Sequence, residues 1–205
     1  MQAKKKERPR HIHRLLTKAS EYNDIAEIGE IARRYFAMNA FDGVSTIIGV
    51  IIGNMSARVE SPAIVLTTSL STCVAMGISG IWGSYLTESA ERKHDLKELG
   101  RSTLTNLKKS RIGRASRFAT LIISLVNGIS PFLAALLVIT PFFFPGLFPS
   151  IKWVYFTSLG IALVTLFSVG LFLGTVSKEN LIFSGIKTMF AGIAAIIVGS
   201  MLNSN

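Results

Sequence analysis

A chain of 205 residues that is 49% hydrophobic, with a mean hydropathy of +0.46, is too apolar for an ordinary water-soluble domain. Its 22 Lys and Arg against 12 Asp and Glu leave a formal charge of +10. The cations gather beside apolar segments, which fits membrane lipid headgroups and topology signals and argues against nucleic acid as a partner.

The chain opens with a basic tail, KKKERPRHIHR, carrying His11 and His13, where weak metal contact competes with plain solvation. Ser20 then stands where a helix can be capped, with Glu21 and Asp24 in the first turns. Ile25, Ile28, Ala32 and Tyr35 recur at helical spacing against Asp24, Glu27, Glu30 and the Arg33–Arg34 pair. The pattern predicts an amphipathic helix lying on the membrane surface and leading into the first span, so residues 1–36 read as an interfacial segment. No cleavable signal is expected, because the first apolar segment begins only at about residue 37 and lacks a good cleavage site.

Stretches long enough to cross about 30 Å of hydrocarbon follow at 37–57, 62–86, 117–140, 151–176 and 181–202. The first two make a pair over 37–86, a short acidic and basic cytoplasmic connection fills 87–116, and the last three occupy 117–202. Pro62 opens the second span at a position that a helix tolerates. PFFFPGLFPS ends the third: its prolines at 141, 145 and 149 break helix, and its aromatics suit an interface. The ten-residue alternation of an outer-membrane barrel is missing. The expected fold is an all-α, polytopic membrane bundle of five transmembrane helices. A single cysteine, Cys73, forbids an intrachain disulfide and reads as a small buried residue.

Orientation follows from the cations. Residues 1–36 hold nine Lys and Arg and the 87–117 connection holds nine more, whereas the 58–61 and 141–152 turns carry only Arg58 and Lys152. The positive-inside rule places the N-terminus in the cytoplasm and, after five crossings, the C-terminus outside.

Asp42 is the one carboxylate inside a long apolar segment, eight residues after Arg34, or about 12 Å along a helix. An ionised acid in hydrocarbon needs a partner, a wet path or a cation. Ser45, Gly49 and Gly53 follow on its helical face, and small residues so spaced let membrane helices approach closely. Asp42 therefore reads as a cation ligand or proton acceptor at a helix seam. The structural alternative is a polar group satisfied by Asn39 or Asn127, or paired with Lys187. Met76, followed on its face by Gly80, Gly83 and Thr87, offers a soft thioether. With a carboxylate it would suit a late first-row metal; without one it is packing material.

The second span runs on into YLTESAERKHDLKELG, where Glu88, Glu91, Asp95 and Glu98 share one broad helical face. They read either as a gathering site for dications, which His94 could join, or as a solvated face of ion pairs such as Glu88–Arg92. No nucleophile elbow, phosphate-binding glycine loop, HExxH or Cys/His zinc spacing occurs, so no enzyme and no resident cofactor are expected.

Together these features resemble the vacuolar iron transporter family. The likeness runs over roughly residues 20–203 and rests on Asp42–Gly43, on Met76 amid small residues, on the acids from Glu88 to Glu98, and on SLVNGISPFLAALLVITPFFF and KTMFAGIAAIIVGSML. It implies a homodimer joined through the first transmembrane helices, which line a pathway at the two-fold axis. It also implies export of ferrous iron, manganese or both from the cytoplasm, with proton exchange as the drive. Carried over residue by residue, the metal ligands would be Asp42 and Met76 in the pathway and Glu91, Glu88 and Glu98 in the collecting region. Two departures stand out: Gly80 occupies a place where members usually carry glutamate, and the short basic stretch GRSTLTNLKKSRIGRASR replaces a long glutamate-rich insertion. A prokaryotic plasma membrane is the expected location, or a vacuolar membrane in a eukaryote. The rival reading is a non-transporting scaffold or lipid-binding protein whose Asp42 fixes helix packing; a carrier of small organic cations ranks third, since no aromatic cage is evident.

Overall fold

A computed structural model describes residues 20–202; the basic tail with His11 and His13 lies outside the described residues. Helix α1 covers 20–26, α2 Ile28–Ser56, α3 Pro62–Ser102, α4 Arg111–Val138, α5 Ile151–Ser177 and α6 Leu181–Leu202. Short 3-10 turns sit at Leu107–Lys109, Thr140–Phe143 and Pro145–Leu147, and no strand occurs among the described residues. Helices α2 to α6 are each long and apolar enough to cross a membrane, so the chain is an all-α bundle with five spans.

The bundle is organised around α2. Val44, Ile47, Ile48, Ile51 and Ile52 are almost wholly buried, packed among residues of α3, α4 and α5 such as Val65, Ala135 and Ala162. Between lipid-immersed helices burial brings little hydrophobic gain, so close contact and shared hydrogen bonds must hold them together. Three hydroxyls serve in this way. Ser130 donates from α4 to the Phe36 carbonyl of α2 at 2.6 Å, Ser158 from α5 to the Val138 carbonyl of α4 at 2.6 Å, and Thr188 from α6 to the Leu166 carbonyl of α5 at 2.9 Å. Tyr155 adds a bond to the Val59 carbonyl at 2.9 Å, closing the end of the bundle where α2 turns into α3.

Helix α4 lies between α2 and α3 and packs extensively on both, whereas α2 and α3 touch each other much less. A cleft therefore opens between α2 and α3 with α4 as its floor. Two glycine crossings set its depth. A side chain at Gly43 would collide with the Pro131 backbone of α4, and one at Gly80 would lie 2.8 Å from the Gly128 Cα.

The amphipathic segment departs from expectation. Its break falls at Glu27, which adopts a left-handed φ of 49°, and the helix then runs without interruption from Ile28 across the boundary expected at 36/37. Asn23 bridges the break by accepting from the Gly29 N–H at 2.8 Å. Part of its apolar face packs on protein: Tyr22, Ala26, Ile28 and Ile31 meet Phe118, Ala119 and Ile123 of α4, while Ile25 stays exposed. A protein partner was available for that face, and periodicity alone cannot distinguish protein from lipid. Cys73 is fully buried, as its apolar setting predicts.

Candidate metal site in the α2–α3 cleft

The cleft has a volume of about 640 Å3, and Asn39, Asp42, Ser45, Thr46, Met76 and Asn127 are among its lining residues. Three helices contribute. Gly43 lets α2 press on α4 at Pro131, which sets the neighbouring Asp42 at the edge of the contact, and Gly80 lets α3 press on α4 one turn beyond Met76. Asp42 and Met76, which the sequence singles out separately, thus share one concavity.

The alternatives for Asp42 can be checked directly. The Asn39 amide donates to the Tyr35 carbonyl at 2.7 Å and to Asn127 Oδ1, tying α2 to α4 beside the acid. Thr46 donates to the Asp42 backbone carbonyl at 2.7 Å. The Asp42 carboxylate itself has no hydrogen-bond or ion-pair partner among the described residues, Lys187 included. Asp42 is exposed to the cleft and Met76 is half-buried in it.

Pro131 adds an oxygen that the sequence reading missed. It lies inside α4 and has no N–H to offer the Asn127 carbonyl, the bond a helix would otherwise make. That carbonyl oxygen lies 2.9 Å from where a Gly80 Cβ would stand, on the α3 side of the floor. The proline in SLVNGISPF was the available signal. A glutamate at position 80 does not fit, because Gly128 and Asn127 occupy its space.

The acids beyond the apolar part of α3 are arranged differently. Glu88 is only 8% exposed; its Oε2 accepts from Arg92 Nε at 3.0 Å, and its Oε1 lies 3.5 Å from the Tyr35 hydroxyl of α2. It belongs to a bridge between α2 and α3, the ion-pair reading of that residue. Glu91 and Glu98 are exposed on α3. His94 and Asp95 are also exposed, 3.9 Å apart, and Glu21 is engaged with Arg111 at 3.0 Å. No group of three or more His, Cys, Asp or Glu comes together to hold a metal ion among the described residues.

No family model matches the chain. Over 177 residues it is 33% identical to the uncharacterized protein MJ0645 of Methanocaldococcus jannaschii, in an alignment covering 85% of this chain and 90% of the archaeal one. The chain belongs to the MJ0645 family.

Proposed function

We propose that this member of the MJ0645 family exports a divalent transition metal, ferrous iron or manganese, from the cytoplasm in exchange for protons. The observation that carries the reading is the convergence of an unpartnered Asp42 carboxylate and the Met76 thioether in one cleft between apolar helices. A carboxylate without a counter-ion at such depth calls for a cation, and a thioether beside it favours a late first-row metal over magnesium or calcium. The resemblance to vacuolar iron transporters supports the same reading.

One chain offers too few donors, and a second copy would complete the set. Nothing stands within 4 Å of an added Cβ at Gly49 or Gly53, which follow Asp42 on its helical face, so that face is free to meet its twin. In the dimer two Asp42 carboxylates and two Met76 thioethers would surround the axis. The paired carboxylates would hold a proton between them that an arriving dication displaces, which couples metal to proton movement. Glu91 and Glu98, exposed at the cytoplasmic mouth, would concentrate dications by charge.

The test is transport into proteoliposomes, with ferrous iron, manganese, zinc and magnesium compared and internal pH recorded by a trapped dye. Asp42→Asn is expected to lower ferrous or manganous flux at least tenfold, a barrier increase of about 1.4 kcal/mol or more. Undiminished flux in that variant overturns the site and returns the protein to the scaffold reading. Flux with no pH change refutes the exchange.

A further inference from the structure

The far end of α3 carries a second concavity of opposite charge. Lys93, Lys97 and Arg101 follow one another at four-residue spacing and are all exposed. Like charges so placed repel along a helix. The chain then folds back. Leu104 takes a left-handed φ of 53°, the Thr105 N–H donates to the Gly100 carbonyl at 3.0 Å, and the Asn106 side chain accepts from the Lys108 N–H at 3.2 Å. This return brings Lys108 round to the same cavity, about 490 Å3 in volume, where Leu96 and Leu107 add apolar surface.

No carboxylate lines this cavity, and none of its four cations has an ion-pair partner among the described residues. Arg92 and Arg111 nearby do have theirs, in Glu88 and Glu21. Four cations folded around one space without a counter-charge make an electrostatic funnel for a polyanion. The volume lies within the range of small-ligand pockets, about 300–1,000 Å3.

We infer that this cavity binds a soluble anionic di- or triphosphate compound. Phosphate oxygens suit several Lys and Arg at once, and the two leucines can cover an attached apolar ring. Height selects a soluble source over a lipid. Lys97 is eleven residues past Leu86, the end of the apolar stretch, which places it about 16 Å further along the helix. A headgroup layer occupies only about 5–8 Å on each side of the hydrocarbon. The site is independent of the metal reading, since the two cavities have no lining residue in common.

The full chain in nanodiscs of neutral phosphatidylcholine, titrated calorimetrically with inorganic pyrophosphate and with ATP, tests the inference. Saturable binding is expected, weakened at least tenfold in Lys97→Gln/Arg101→Gln and unchanged in the charge-matched Lys178→Gln/Lys187→Gln. Should the first variant fail size exclusion, Lys93→Gln/Lys108→Gln is expected to show the same loss. Absent binding, or equal loss in the control, overturns the site. A parallel arm uses phosphatidylglycerol nanodiscs and counts retained lipid by mass spectrometry. Lipid retention that depends on Lys97 and Arg101, with no heat from either phosphate, overturns the soluble assignment.

Discussion

Asp42 and Gly43 act as a unit. The glycine allows α2 to touch the Pro131 backbone, and the acid next to it is thereby set at the rim of the cleft. Gly80 plays the matching part on α3. A glutamate placed at this position is therefore expected to add no metal binding. Gly80→Glu would force α3 off α4 at Gly128, costing about 1–3 kcal/mol as other overpacked contacts do. A lowered melting temperature in detergent, with no gain in metal affinity, is the expected result; a stable variant that binds metal more tightly would contradict the crossing geometry. The sequence singled out Asp42 and Met76 because an acid or a thioether among apolar residues is conspicuous. It could not show that their helices face one cleft, since three-dimensional neighbours on different helices leave no trace in spacing.

At the scale of elements, α3 is the informative case. Hydropathy ends its span at about Leu86, yet the helix continues to Ser102, because Glu, Lys, Arg and Leu in the stretch beyond it all favour helix. The Glu88–Arg92 pair, in which Glu88 is buried, stands where the helix leaves the apolar region and ties it to Tyr35 of α2. Arg92→Met would leave Glu88 charged and poorly compensated, at a cost of about 3 kcal/mol. Adding Glu88→Gln to that variant is expected to recover most of the loss, as read by thermal unfolding in detergent; a double variant no better than the single would assign the effect to lost packing of Arg92. The face shared by Glu88, Glu91, Asp95 and Glu98 was legible from their spacing. Their division into a buried pairing group and exposed carboxylates was not, because it depends on where α2 passes. The same holds for the N-terminal segment: its helical period was legible, but the left-handed turn at Glu27 and the α4 surface that receives Ile28 were not.

For the whole molecule, the count of spans and their approximate limits could be read directly, since twenty or so consecutive apolar residues have few alternatives. Fusion reporters at the two ends are expected to score on opposite sides of the membrane, N-terminus inside. Both ends on one side would refute the odd number of crossings. The proposed dimer has its own check. With Cys73 replaced by serine, Gly49→Cys is expected to form an intersubunit disulfide under mild oxidation in membranes, because that position is open along the Asp42 face. A chain that stays monomeric on denaturing gels would show that the face meets lipid.

The unbroken course of α3 also makes the protein lopsided. From Leu86 to Ser102 it rises for sixteen residues, about 24 Å, as a helical mast on one side of the bilayer. On the opposite side the links between Ser56 and Pro62 and between Val138 and Ile151 stay close to the bundle, the first tied down by Tyr155 and the second by Phe142, which meets the same ring edge to face at 5.2 Å. Soluble visitors, proteases included, would find purchase on the mast and little to grip on the other side.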